Sequence, residues 1–246
     1  MMLSGKRVLI TGGGGGLGAD MARGFVAAGA EVVITGRRPD ALRKVAAGSV
    51  AIRALAADVT QEAEVKQLFA AAGPVDIVIA NAGAAESAPF ARTSLEHWNH
   101  MLAVNLTGVF ITFREGLAQM GGWGRLIAIA SMAGLKGYPY VAPYAAAKHG
   151  VVGLTRSLAL EIVAKPITVN AICPGFLDTE MTARSVANIV LKTGRSQEAA
   201  LEALLAADQQ KRLISPAQVT AKALWLCGPD SECVNGEAIA MPDGEA

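Results

Sequence analysis

Aromatic side chains are scarce in this chain, 5% of 246 residues, and charge of either sign is thin. Lys and Arg number 22 against 21 Asp and Glu, for a net charge of +1. With no basic block and no stacking aromatics, nucleic acid and anionic membrane are excluded as main partners. Cysteine is rarer still. Cys173, Cys227 and Cys233 are odd in number and lack metal-ligand spacing, so they read as reduced thiols in a cytoplasmic protein. Histidine offers no metal set either. His97 and His100 stand three apart without a suitably spaced third ligand, so no metal is expected. No uninterrupted apolar run reaches the ~18 residues of a membrane span. No charged segment followed by an apolar one opens the chain, because a strand-like run begins almost at once.

What is abundant is apolar residues, 52% of the total. That is enough for a sizeable core, and the length suits one large α/β domain. Apolar runs at 7–11, 31–36, 50–56, 75–80, 125–130, 168–173 and 237–241 read as strands, several of them continuous enough to be covered on both faces. Helix-length segments lie between them, at 16–28, 39–47, 61–72, 94–120, 143–163 and 216–226. Pro39 and Pro216 fit first-turn positions, the latter after a capping Ser215. The alternation implies a single doubly wound Rossmann-type α/β domain over 1–246, a seven-stranded parallel sheet with helices on both faces. Residues 182–214 break the rhythm. Inserted after the carboxyl end of the sixth strand, they are placed like a substrate lid.

The stretch "RVLITGGGGGLGADMARGF" runs strand, glycines, helix. A helix N-terminus offers unpaired N–H groups and a positive dipole end, and glycine lets a pyrophosphate come close. Two templates fit: Gly13-x-Gly15-x-x-Gly18, the general dinucleotide fingerprint, and Thr11-Gly12-x-x-x-Gly16-x-Gly18, with a wider loop. The second strand ends Thr35-Gly36-Arg37-Arg38, with no acid before Asp40. A carboxylate there would hold a ribose hydroxyl, whereas a guanidinium pairs with a 2′-phosphate. NADP(H) is therefore preferred and NAD(H) is the alternative.

Chemistry-bearing residues follow in the second half. Tyr144 and Lys148 in "YAAAK" are i and i+4, on one helix face. A cation near a phenol favours phenolate and lowers its pKa, which equips the pair for proton transfer to or from an alcohol oxygen. Ser131 closes a buried-type strand at the sheet edge where ligands bind. Asn105 sits inside an otherwise apolar helix and must find hydrogen-bond partners there. Cys173 reads as a buried, inert thiol.

Thr11-Gly12-x-x-x-Gly16-x-Gly18, Asn81-Ala82-Gly83, Asn105, Ser131, Tyr144-x-x-x-Lys148 and Pro174-Gly175, in this order, resemble the short-chain dehydrogenases/reductases. The resemblance runs from Gly5 to about Gly244 and selects the wider glycine spacing. It implies that Tyr144 is the acid–base group, that Ser131 stabilises charge on the carbonyl oxygen, and that Lys148 holds the nicotinamide ribose. Asn105 would hold a relay water. Gly12, Gly16, Leu17 and Gly18 would meet the pyrophosphate, and Arg37 or Arg38 the 2′-phosphate. Asp58 and Val59 would meet the adenine. Asn81 and Gly83 would line the cofactor, and Pro174, Gly175 and Thr179 would meet its nicotinamide end. Two positions depart from the pattern: Ala80 replaces a second Asn, and Gly15 stands where many NADP(H)-preferring members carry Lys or Arg.

The expected activity is hydride transfer between NADP(H) and a ketone or secondary alcohol. Basic residues on the lid, Lys192, Arg195, Lys211 and Arg212, point to a 3-oxoacyl or 3-hydroxyacyl thioester, as in the family's 3-oxoacyl carrier-protein reductases and 3-hydroxyacyl-CoA dehydrogenases. The alternatives are an NAD-dependent secondary-alcohol dehydrogenase and, in another class, a non-catalytic dinucleotide sensor or scaffold. The helices at 94–120 and 143–163 are longer than one sheet face needs, and in the family the chain resembles such helices pair between subunits, which implies a homo-oligomer, a dimer or tetramer.

Overall fold

Valine, isoleucine and leucine alternate faces along the inner strands, and both faces are covered. Val8, Ile10, Val32, Ile34, Ile77, Ile79, Ile127 and Ile129 point to one side, into a core completed by Met21, Phe25, Val219 and Leu226. Leu9, Val33, Val78, Leu126 and Val169 point to the other, against Phe69, Val109, Phe113 and Val151. A strand apolar on both faces is stable only between two helical layers. Each fully buried aliphatic or aromatic side chain contributes roughly 1.5–3 kcal/mol.

The computed structural model describes residues 1–243; Gly244, the expected end of the family resemblance, lies outside them. Among the described residues the strands are β1 (Arg7–Thr11), β2 (Glu31–Gly36), β3 (Ile52–Ala56), β4 (Ile77–Ala80), β5 (Gly124–Ile129), β6 (Ile167–Pro174) and β7 (Ala238–Met241). They form one seven-stranded parallel sheet in the order β3-β2-β1-β4-β5-β6-β7. The helices are α1 (Gly16–Ala27), α2 (Pro39–Ala46), α3 (Glu62–Ala72), α4 (Leu95–Leu102), α5 (Gly108–Gln119), α6 (Ala142–Glu161), α7 (Glu180–Thr193), α8 (Gln197–Ala207) and α9 (Pro216–Trp225). The strand order reverses between β1 and β4, which opens a crevice at their carboxyl ends.

Two departures from the expected elements bear on the site. The helix expected over 94–120 is not continuous: a π-helical turn, Ala103–Thr107, separates α4 from α5 and carries Asn105. By length and composition 95–119 could cross a membrane, but half of its apolar window is buried inside the fold. The insertion after β6 forms two helices, α7 and α8, and its stems are tied together. Leu177 bridges Ile214, Ile214 N donates to Phe176 O at 3.0 Å and Asp178 N donates to Ile214 O at 2.9 Å. Far from the stem, Asn188 and Lys192 of α7 reach Ser87, in the loop after β4, at 3.3 and 3.2 Å.

Candidate active site

The crevice is built first by Thr11. Its hydroxyl oxygen accepts from Asn81 N (3.0 Å) and Ala82 N (2.9 Å), while Asn81 Nδ2 donates to Thr11 O (2.9 Å). The ends of β1 and β4 are thus locked side by side. Gly12 holds φ +69°, and a Cβ there would stand 2.8 Å from Asn81 Nδ2. A Cβ on Gly18 would collide with the Gly12 carbonyl oxygen, so the loop closes only on glycine. Leu17 is buried beneath it. The first turn of α1 has no side-chain cap and no acidic residue, so its N–H groups stay available. Past Gly15 lies open space, and Thr179, the N-cap of α7, stands over Gly16. This donor set suits an anion such as a pyrophosphate.

Arg37 and Arg38 are exposed beyond β2, and neither forms an ion pair among the described residues. Asp58 caps the following turn, its Oδ1 accepting from Thr60 N and Oγ1 at 2.9 Å each. The Val59 side chain is buried against α5, where a Cβ on Gly108 would come within 2.8 Å of it. Only its backbone can face the crevice.

On the other side of the crevice the expected catalytic set assembles. Asn105, wholly buried in the π-turn, donates through Nδ2 to Ala84 O (2.9 Å) and Met101 O (3.0 Å) and accepts from Ala84 N (3.1 Å). Both amide protons are committed, leaving one lone pair on Oδ1 for a water. Asn105 Oδ1 and Lys148 Nζ both approach Gly83, where a Cβ would lie 3.0 Å from the first and 3.9 Å from the second. Lys148 is buried, donates to Ile129 O at 2.8 Å, and stands 5.6 Å from the Tyr144 ring centre. Ser131, just past β5, accepts from Ala133 N at 3.1 Å, and its hydroxyl is near enough to the Tyr144 phenol to oppose the effect of burial on it. Pro174 ends β6, and Gly175 N donates to Met241 O at 3.1 Å.

Burial raises the Tyr144 pKa, and Ser131 opposes that shift. Burial also disfavours the Lys148 ammonium, whose pKa falls to about 8, and the amine is turned to the Ile129 carbonyl. Cys173 lies beneath both groups, its thiol pushed up to about 11 by burial, which fits an inert sulfur.

Sequence reasoning missed a second polar cluster beside this set. Buried Asp208, at the end of α8, accepts from the Tyr138 phenol and pairs with Lys136 Nζ at 2.8 Å. Gln210 grips the backbone of Phe176.

A glycine-lined crevice beside a Ser–Tyr–Lys–Asn set, on a seven-stranded doubly wound sheet, defines a nicotinamide-dependent oxidoreductase. The short chain dehydrogenase profile matches residues 6–190, and the chain belongs to that family; it is an NAD(P)-dependent oxidoreductase of ketones and alcohols. It is 35% identical to a D-beta-hydroxybutyrate dehydrogenase of Rhizobium meliloti (strain 1021), over 97% of this chain and 98% of the relative. It is 31% identical to a 3-oxoacyl-[acyl-carrier-protein] reductase of Aquifex aeolicus (strain VF5), over 98% of each chain. Among solved structures, a variant of actinorhodin polyketide ketoreductase with NADPH superposes with a TM-score of 0.90 at 33% identity, covering 98% of this chain and 97% of that one. Levodione reductase superposes at 0.91 and 30% identity, with the same coverage.

Proposed function

We propose that the protein is an NADPH-dependent carbonyl reductase in which Tyr144 delivers the proton. The observation that carries this is the meeting of Ser131, Tyr144 and Lys148 at the sheet's carboxyl edge, with Lys148 Nζ 5.6 Å from the Tyr144 ring centre. A neutral phenol is the form that gives up a proton in ketone reduction, and the Lys148 ammonium beside it would favour the phenolate that is left. The nicotinamide, when bound, supplies the hydride. Ser131 donates to the substrate oxygen as negative charge develops on it. Lys148 holds the ribose hydroxyls. Asn105 fixes the 82–84 loop and offers its remaining lone pair to a water beside Lys148. Gly12, Gly16, Leu17, Gly18 and the N-terminus of α1 hold the pyrophosphate. Arg37 and Arg38, free of carboxylate partners among the described residues, receive the 2′-phosphate, which is the reason to prefer NADP(H) over NAD(H). Asp58 with the Val59 backbone serves the adenine end. Asn81 and Gly83 line the middle, and Pro174, Gly175 and Thr179 the nicotinamide end.

Residues 182–214 act as the substrate lid of the single domain. Arg195, Lys211 and Arg212 on it are exposed and make no ion pair among the described residues, which suits the phosphate groups of a 3-oxoacyl thioester. The names of the relatives, a hydroxybutyrate dehydrogenase and a 3-oxoacyl reductase, support the same substrate class. A cytoplasmic homo-oligomer completes the proposal.

The test is turnover, followed by cofactor absorbance, on a panel of 3-oxoacyl thioesters and simple ketones with both nicotinamides. Tyr144→Phe is expected to lower kcat by ~10²–10⁴-fold while cofactor Kd stays unchanged. Undiminished turnover by this variant overturns the assignment.

A further inference from the structure

The return limb of the lid holds two catalytic loops at once. Asp208 is 1% exposed in its side chain, yet it is acidic, and both of its partners lie on the loop between Ser131 and Tyr144: the Tyr138 phenol and Lys136 Nζ. Two residues on, buried Gln210 accepts from Phe176 N at 2.7 Å and donates to Phe176 O at 3.3 Å and to Arg212 O at 3.2 Å. Phe176 belongs to the loop after β6. Gln209, between the two, is exposed and holds φ +56°, a left-handed conformation that a non-glycine residue adopts at a cost. That twist turns Asp208 and Gln210 inward together. The approach is close: a Cβ on Gly175 would stand 2.6 Å from Gln210 Oε1 and 2.7 Å from Asp208 Oδ2.

The consequence falls on two rings. Tyr138 and Phe176 meet edge to face, 6.5 Å apart and 86° between planes. Both are half-buried, and they extend from the sheet's carboxyl edge on neighbouring loops, one before Tyr144 in the chain and one after β6. Tyr138 lies six residues before Tyr144, on the loop that leads into α6. Burial and the Asp208 carboxylate hold the Tyr138 phenol protonated, so it remains a donor to Asp208 over the working pH range.

We propose that Asp208 is a positioning residue for substrate selection: by fixing Tyr138 against Phe176 it builds the wall of the carbonyl pocket beside Tyr144, without touching the substrate. This rests on the assignment of Tyr144 as the proton donor. The lid is then part of the specificity pocket, with the ring of Tyr138 as its gauge. A carboxylate that only anchored the fold would affect every substrate alike. One that sets a ring in the pocket wall discriminates by substrate shape.

Full-length enzyme is assayed with butanone and with benzylacetone, which differ by a phenyl ring, together with NADPH Kd and Tm. Asp208→Asn keeps the side-chain volume and weakens both partners; Tyr138→Phe is the milder change, keeping the ring and removing only the phenol. Each is expected to change the benzylacetone-to-butanone ratio of kcat/KM by about tenfold, the scale of one lost hydrogen bond, mainly through KM. NADPH Kd stays unchanged, and the double variant is no worse than Asp208→Asn, because the two act through one contact. An active wild type whose variants keep the ratio, whatever happens to Tm, overturns the positioning role alone. A wild type inactive with both ketones overturns the positioning role, and one inactive with 3-oxoacyl thioesters as well overturns the catalytic assignment.

Discussion

A lysine buried as deeply as Lys148 costs stability as long as it is charged, and the sign can be worked out. Its pKa falls from 10.5 to about 8 on burial. Between those values the unfolded chain binds more protons than the folded one, so stability rises with pH across that window. Lys148→Met removes the dependence. The Tm of the variant minus that of the wild type is expected to be most positive at or below about pH 8 and to shrink toward pH 10.5, while turnover is lost. A difference that is flat or grows with pH contradicts the buried, deprotonating amine. Residues like this one were legible because their chemistry is local: Tyr144 and Lys148 share a helix face by spacing, and Ser131 ends a strand. What could not be read was the balance of electrostatics. Spacing predicts a Lys148 cation beside a phenol, which the structure shows, but not the burial that lowers the Lys148 pKa and raises that of Tyr144, nor the Ile129 carbonyl that the amine meets. Asp208 was illegible for another reason. Its partner Tyr138 is 70 residues away, and nothing in an insertion rich in Ala and Leu marks one acid as buried.

At the scale of elements, the glycine loop and α1 were legible almost to the residue, since strand, glycines and helix follow in order. The break in the next long helix was not. Apolar periodicity runs through 94–120, and a polar interruption, Asn105, marked the place without revealing its form: its side chain, turned onto the backbone of Ala84, explains the π-turn. The loop at α1 also explains how cofactor preference could be strengthened. Gly15 has φ 170°, which any residue adopts, and a Cβ there meets nothing within 4 Å. Gly15→Arg should therefore fold with an unchanged Tm. It adds a guanidinium at the N-terminus of α1, where it would face the 2′-phosphate that Arg37 and Arg38 are proposed to receive. A hydrogen bond to a charged group contributes about 1.5–3 kcal/mol, so the NADPH-to-NADH ratio of kcat/KM is expected to rise by roughly ten- to a hundredfold. A ratio that stays level would place the 2′-phosphate elsewhere.

At the scale of the whole molecule, the isolated chain exposes too much surface. Its accessible area is 11535 Å², whereas a monomer of 25.3 kDa is expected to expose about 10,300 Å². The excess is comparable to the roughly 800 Å² that one protomer gives to a standard interface. Part of it is apolar and sits on the long helices: Leu95 of α4, Phe110 of α5 and Leu160 of α6 are 73%, 44% and 78% exposed. These helices also carry the site, α6 holding Tyr144 and Lys148 and the turn before α5 holding Asn105. Pairing them between subunits would stiffen the catalytic set from behind. Light scattering on the wild type should give a multiple of 25.3 kDa, and Tm should rise with protein concentration, as mass action requires of an assembly that unfolds to single chains. Phe110→Glu combined with Leu160→Glu puts two charges on the helix surfaces without entering the core. It should reduce the mass toward that of one chain, abolish the concentration dependence of Tm, and lower kcat through loss of the support behind α6. A wild type that runs at 25.3 kDa at every concentration would show that these side chains remain in water and that the helices hold the site unaided.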